Sequence, residues 1–167
     1  IRENIPSGFD IRKNAHHRAD EFQFEGLYCL KNINRDKAEK SLGTLGGGNH
    51  FIEIDRSADG TLYLTVHSGS RHTGEEVAEY YTKRASTELK EAGLEIPYYQ
   101  SWLSGESAEE YIHDVRIMQE YAELNRDIII SEILKGMKLK AEEKFSVPHN
   151  YIDYAGILHK GSISAHK

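Results

Sequence analysis

Cysteine is almost absent from this sequence, since Cys29 is the only one in 167 residues. A single thiol excludes an internal disulfide framework and favours a reducing compartment such as the cytoplasm. Positive charge is also in deficit, because 21 lysines and arginines stand against 27 acidic residues, for a net charge of −6. A broadly basic protein that coats nucleic acid is therefore excluded, and any contact of that kind must be a local basic spot.

Long apolar runs are lacking as well, and none approaches the roughly 20 residues that span a bilayer. The first residues, Ile1-Arg2-Glu3-Asn4, contain neither a starting methionine nor an apolar signal segment. With 38% hydrophobic and 29% charged residues, the composition is that of a soluble globular protein on the polar side. We expect an internal piece of a longer protein, with residues 1–167 forming a single partial domain.

Strand patterns come before the long helix patterns. Two strands are predicted over Phe51–Asp55 and Thr61–Val66, joined by a turn that ends at Gly60. In the second strand, apolar and polar residues alternate, as they do when one face is buried. Strands first and long helices behind them favour an α+β fold rather than an alternating one.

Two long helices are predicted from apparent capping boxes, with Thr73 as the N-cap of the first and Ser107 as the N-cap of the second. They are predicted to stop near Gly93 and Gly136. Asn125-Arg126 in the second helix could support a metal ligand from behind or contact RNA, but a pair on the helix surface is the favoured interpretation. Isolated histidines are also expected at the surface: His16, His17, His72, His113 and His166.

A glycine-rich segment, Gly46-Gly47-Gly48-Asn49-His50, stands directly before the first strand. Glycine allows positive φ values and a close approach of the backbone to another group. Successive free N–H groups in such a turn can cradle a phosphate, and an amide and an imidazole follow at its mouth. Glycine-rich turns that serve geometry alone are about as common, so the pattern by itself leaves both interpretations open.

His67 ends the second strand, in the run His67-Ser68-Gly69-Ser70-Arg71. In an antiparallel hairpin, His50 and His67 would lie at the same edge of the sheet. The run leads into a helix N-terminus, which attracts anions, and Arg71 can grip a phosphate with a planar fork of donors. This predicts a phosphate site beside a metal site, against the alternative of an ordinary strand-terminal histidine.

A third histidine occurs in His149-Asn150, after Pro148. Alone, this pair is more typical of a loop than of a metal ligand. Together with His50 and His67, it completes a set of three imidazoles suited to a divalent transition metal. Without a nearby cysteine or carboxylate motif, three histidines are an incomplete set for two metals.

These residues resemble the signature of the RtcB RNA ligase family. The resemblance rests on Gly43-Thr44-Leu45-Gly46-Gly47-Gly48-Asn49-His50-Phe51-Ile52-Glu53. Further motifs follow in the family's order: His67-Ser68-Gly69-Ser70-Arg71, Asn125-Arg126, His149-Asn150 and Lys160-Gly161. With Ile5-Pro6-Ser7-Gly8 at the start, it spans nearly the whole chain. It implies an α+β, RtcB-like mixed sheet with long flanking helices, present here as an incomplete domain.

The resemblance implies a ligase that joins RNA ending in a 3′-phosphate or 2′,3′-cyclic phosphate to RNA with a 5′-hydroxyl, in tRNA splicing or RNA repair. The family uses GTP and two Mn²⁺ ions per full active site. A histidine is guanylylated, GMP passes to the RNA 3′-phosphate, and the 5′-hydroxyl displaces GMP. The implied partners are therefore RNA ends and GTP, without a membrane, and no oligomeric state is implied.

Site residues carry over by motif. His50 would bind one manganese ion, while His67 and His149 would bind the other. Arg71 would meet the terminal phosphate of the RNA. The GTP site would be lined by Asn49, His50, Phe51, Ile52, Glu53, His149 and Asn150.

The sequence also departs from the family's pattern. The family's Asp-x-Gly-Cys-Gly motif with its bridging cysteine is not found, and the apolar context of Cys29 favours a buried, unreactive thiol. The guanylylated histidine lies beyond the position of Lys160-Gly161 in the family. Neither His159 nor His166 has its glycine-rich setting, so we assign no catalytic residue and expect the 167 residues alone to be inactive. His72-Thr73 and His159 replace more usual residues, which suggests a divergent branch such as an RNA-repair paralogue.

Two other functions remain open from the residues. One is a metal-dependent phosphohydrolase that uses the same three histidines on a phosphate ester. The other is a module that binds RNA ends or nucleotides but has lost its chemistry. GMP release coupled to RNA joining would distinguish the ligase from both.

Overall fold

The chain's described residues, 4–148, 150–153 and 157–161, come from a computed structural model. Its helices and strands follow in the order α1, β1, β2, α2, α3, β3 and β4. Their bounds are Arg35–Ser41, Phe51–Arg56, Leu62–His67, Arg71–Glu91, Glu106–Met137, Asn150–Ile152 and Leu158–Lys160. Short 3₁₀ helices occupy Ala19–Glu21, Phe24–Gly26, Leu30–Asn32 and Tyr98–Gln100.

The described strands form two small antiparallel sheets. β1 pairs with β2 in a register that sets Phe51 opposite His67, and β3 pairs with β4 so that Asn150 lies opposite Lys160. Parallel pairing within the described residues is limited to one isolated bridge between Ser7 and Gly46. The predicted α+β class is confirmed.

The helix α2 has a buried apolar stripe, but it does not begin where predicted. Val77, Tyr81, Ala85 and Leu89 are all buried. The helix begins at Arg71, earlier than the predicted N-cap, and Thr73 is buried within its first turn. The capping-box prediction is therefore wrong here, because the preceding turn already enters the helix before Thr73.

The helix α3 likewise begins before its predicted capping box, after Gly105, whose φ is 59°. The hydroxyl of Ser107 lies 2.8 Å from a carboxylate oxygen of Glu88 instead of capping the helix. At the other end, the helix continues past Gly136, and Lys138 adopts the left-handed conformation with a φ of 57°.

Two apolar clusters pack the helices. The larger joins the segment 19–42 to α2 and α3, with Phe24, Leu42 and Ile128 at most 1% exposed. The smaller joins Ile129 and Ile133 of α3 to the partly buried side chains on one face of the first hairpin. Each fully buried side chain of this size contributes about 1.5–3 kcal/mol, so α3 fixes the hairpin that carries the candidate site.

The isolated histidines were expected at the surface and Cys29 in the interior, and the structure agrees for all but one of those described below. His72 and His113 are exposed, as expected, with side chains 45% and 47% accessible. The surface prediction is wrong for His16, whose side chain is 7% exposed and lies 3.5 Å from Glu132 of α3. Cys29 is buried, as expected, and burial raises the pKa of its thiol to about 12.

Among the helices of the described residues, none is both long and apolar enough to cross a membrane.

Candidate metal and phosphate site

His50 and His67 lie at the same edge of the first hairpin, as predicted. His50 immediately precedes β1 and His67 ends β2, and the register places Phe51 opposite His67. The centroids of the two imidazole rings are 5.8 Å apart, with the rings tilted by 51°. The two imidazoles are therefore close neighbours at this edge of the sheet.

The ring of His67 is held in place by an aromatic neighbour. It stacks on Phe51 with a centroid distance of 5.3 Å and an interplanar angle of 8°. This contact follows from the cross-strand pairing of the two residues, which brings their side chains onto the same face. The orientation of the imidazole is thus set by the hairpin.

The glycine-rich turn brings backbone close to both functional side chains. Gly46 is buried and has a φ of 96°, a conformation that side chains rarely adopt. A β-carbon there would collide with the guanidinium of Arg71 and with Nδ1 of His50. The carbonyl of Gly46 accepts a hydrogen bond from the N–H of Gly8 at 2.8 Å. Here glycine serves a close approach and not only a turn.

His50 has an unusual environment for a polar ring. Its Nδ1 is buried and has no hydrogen-bond partner among the described residues. Burial lowers the pKa of His50, the nearby charges of Arg71 and His67 lower it further, and an interaction with the backbone of Leu45 opposes the shift. A lowered pKa favours the neutral ring, which is the form that binds a metal ion.

Two hydrogen bonds hold the guanidinium of Arg71 in place. Its Nε donates to the hydroxyl of Thr44 at 3.0 Å, and its Nη2 donates to the carbonyl of Gly8 at 3.1 Å. Burial lowers its pKa, although it remains a cation. Nη1 has no protein acceptor among the described residues and lies against Gly46, so part of the fork can receive an anion near His50.

The proposed nucleotide residues divide between the two faces of β1. Asn49 is exposed in the turn, and Phe51 and Glu53 are exposed on one face of the strand. The side chain of Ile52 lies on the other face and packs in the cluster of Ile129 and Ile133. Asn150 is the exposed first residue of β3.

His149, the third predicted imidazole, lies outside the described residues. Within the described part of the chain, no group of three or more His, Cys, Asp or Glu side chains is arranged to hold a metal ion. The described site therefore comprises two imidazoles and one arginine.

Asn125 is the functional candidate that the surface interpretation missed. It is fully buried in the middle of α3 and bonds to both turns of the site. A signal was present in the sequence: Asn125 falls four residues after Tyr121 and four before Ile129, on the buried stripe of the helix. A polar residue on such a stripe needs partners, which the sequence does not identify.

Comparisons with known proteins agree with these motifs. A family model described as "tRNA-splicing ligase RtcB" matches residues 4–162. The chain is 29% identical over 149 residues to "RNA-splicing ligase RtcB" of Escherichia coli K12, an alignment that covers 75% of this chain and 36% of the relative. It is 26% identical over 144 residues to "tRNA-splicing ligase RtcB" of Archaeoglobus fulgidus, with 75% of this chain and 30% of that protein covered. The chain thus spans about a third of the length of these curated relatives.

Proposed function

The chain belongs to the RtcB family, and we propose that it provides the manganese and phosphate side of the active centre of a GTP-dependent RNA ligase. The reaction joins an RNA 3′-phosphate or 2′,3′-cyclic phosphate to a 5′-hydroxyl end, in tRNA splicing or RNA repair. The observation that carries this proposal is the pair of imidazoles with ring centroids 5.8 Å apart, beside the partly free guanidinium of Arg71. We also propose a cytoplasmic location, with which the buried free thiol of Cys29 is compatible.

The donor set fits divalent metal ions. His50 offers an imidazole whose Nδ1 has no hydrogen-bond partner among the described residues, and His67 lies beside it. His50 would hold one Mn²⁺, and His67 with His149 would hold the other. When bound, two such ions neutralise phosphate charge and stabilise the attacking and leaving oxygens.

The remaining residues bind and orient the phosphates. Arg71, anchored by two of its nitrogens, would donate from Nη1 to the terminal phosphate of the RNA. Exposed Asn49, Phe51 and Glu53 would line the GTP site with side chains, whereas Ile52 faces the core and would offer only its backbone. His149 and Asn150 complete the proposed GTP site. Phosphoryl transfer depends mainly on such positioning and charge neutralisation.

Manganese binding by the purified chain tests the site. We expect weak but measurable binding by electron paramagnetic resonance, reduced by His50→Ala, His67→Ala and His149→Ala. His17→Ala is the matched control, because it removes an exposed histidine outside the site. Equal affinity in the wild type and all three site variants would contradict the proposal.

Product analysis tests the activity. In the full-length protein, we expect RNA joining coupled to GMP release, and loss of both in His50→Ala. Release of inorganic phosphate without GTP would indicate a phosphohydrolase, and RNA binding without turnover would indicate a binding module. The 167 residues alone are expected to join no RNA, and joining by them would overturn that expectation.

A further inference from the structure

The middle of α3 carries two consecutive polar residues, Asn125 and Arg126, that reach the turns around the candidate site. Asn125 is 0% exposed, and Arg126 is half-buried. Burial lowers the pKa of Arg126. Burying an amide and part of a cation is costly unless their hydrogen bonds are made, so their partners are informative.

The carboxamide of Asn125 joins two separate segments. Its Oδ1 accepts from the backbone N–H groups of Gly43 and Thr44, at 2.8 and 3.2 Å. Its Nδ2 lies 3.0 Å from the hydroxyl of Ser68, 3.1 Å from the carbonyl of Gly69 and 3.2 Å from that of Thr44. Two N–H donors on one side and two carbonyls on the other allow only one orientation of the amide.

Thr44, the residue held by Asn125, is also the anchor of Arg71. Its hydroxyl accepts from Nε of Arg71 at 3.0 Å. Ser68 reinforces the same junction, because its hydroxyl donates to the carbonyl of Leu45 at 2.7 Å. The start of the glycine-rich turn and the turn after His67 are therefore both hydrogen-bonded to the carboxamide of Asn125.

Arg126 extends the connection to a third segment. Its Nη1 donates to the carbonyl of Ser68 at 3.2 Å, and its Nη2 donates to the hydroxyl of Ser146 at 2.7 Å. Ser146 stands three residues before His149 in the sequence. The two side chains together contact the segments that carry His50 and His67, and Arg126 also contacts Ser146.

We infer that Asn125 and Arg126 are positioning residues, which set the relative placement of the segments that carry His50 and His67. As a role in metal binding, this rests on the proposed function. Groups behind the ligands orient them, and replacing such groups typically weakens metal affinity about 10- to 100-fold. The competing interpretation is that Asn125 stabilises the fold without influencing the imidazoles.

Asn125→Asp is the sharpest test. The substitution is nearly isosteric and keeps the acceptor for Gly43 and Thr44, but it removes the donors to Ser68 and Gly69. Asp114→Asn is the matched control, because Asp114 is another fully buried polar residue of α3 that binds loop N–H groups, those of Tyr28 and Cys29. Both variants are expected to lower thermal stability.

Two readouts separate positioning from stability. In the metal-free chain, nuclear Overhauser contacts between the rings of His50 and His67 should weaken in Asn125→Asp and persist in Asp114→Asn. Manganese affinity should fall about 10- to 100-fold in Asn125→Asp and stay near the wild-type value in Asp114→Asn. Unchanged ring contacts and affinity in a folded Asn125→Asp would overturn the inference.

A milder variant covers the case in which Asn125→Asp does not fold. Ser68→Ala removes one acceptor of the amide and should shift the same two readouts in the same direction by a smaller amount; no shift would overturn the inference. If the wild-type chain binds no manganese, the proposed function fails. The ring contacts then decide the positioning role alone.

Discussion

Gly46 lies so close to Arg71 that a β-carbon at this glycine would collide with the arginine's guanidinium. The same β-carbon would meet Nδ1 of His50. Because Gly46 has no side chain, Arg71 and His50, the candidate phosphate and metal residues, can both pack against the glycine-rich turn. This relationship makes Gly46 a position where a single methyl group disturbs both.

Gly46→Ala is expected to destabilise the protein more than Gly48→Ala does. Both glycines have positive φ, 96° and 69°, so both variants carry about 1–2 kcal/mol of backbone strain. Only Gly46 is crowded, since a β-carbon at Gly48 meets nothing within 4 Å. Overpacking adds about 1–3 kcal/mol. Urea unfolding of the two variants measures the difference, and equal losses would contradict the crowding argument.

The hairpin and its site edge were predictable from local pattern. Alternation in Leu62, Leu64 and Val66 gave the strand, and antiparallel pairing then required His50 and His67 to meet at one edge. The helix starts were not predictable in this way. Arg71 has a φ of 56° and still opens α2, so the helix begins before the residues that resemble a capping box.

The role of Asn125 was not predictable either, for a physical reason. Hydrophobic periodicity identifies buried positions from apolar side chains, and an asparagine on the stripe is read as a surface residue. Its burial depends on backbone groups of Gly43 and Gly69, which lie 82 and 56 residues away in sequence. Only the tertiary fold brings those partners to the helix.

Tyr81→Phe is expected to cost about 1.5–3 kcal/mol, the usual contribution of a hydrogen bond to a charged group. The hydroxyl of Tyr81 donates to the buried carboxylate of Asp114 at 2.8 Å. Burial alone would raise the pKa of Asp114, but the donors around it, including Tyr81, lower it overall. Chemical denaturation measures the loss.

Tyr80→Phe is the matched control for this prediction. Tyr80 is the neighbouring tyrosine, and its hydroxyl has no hydrogen-bond partner among the described residues; it packs edge-on against Tyr81. Little change in stability is expected for this variant. Equal destabilisation by the two substitutions would contradict a specific contribution from the hydrogen bond between Tyr81 and Asp114.

Cys29 is expected to resist alkylation in the folded protein. The residue is 1% exposed, and burial raises the pKa of its thiol to about 12, assisted by Asp114. The thiolate is the reactive form, so it is nearly absent at pH 8. Iodoacetamide labelling followed by mass spectrometry should show slow modification in buffer and rapid modification in guanidinium chloride. Fast labelling of the folded chain would instead indicate frequent opening of the segment around residues 27–33.

His16→Gln is expected to reduce the loss of stability at acid pH. Burial lowers the pKa of His16 below 6.5; the hydrogen bond to Glu132 opposes this, while the charges of His17 and Arg12 add to it. Below about pH 6.5, the unfolded chain therefore binds a proton that the folded chain excludes, and stability falls until the folded pKa is passed. Guanidinium unfolding at pH 7.5 and 5.5 should give a smaller difference in His16→Gln than in wild type. Equal differences in His16→Gln and wild type would exclude His16 as a source of acid sensitivity.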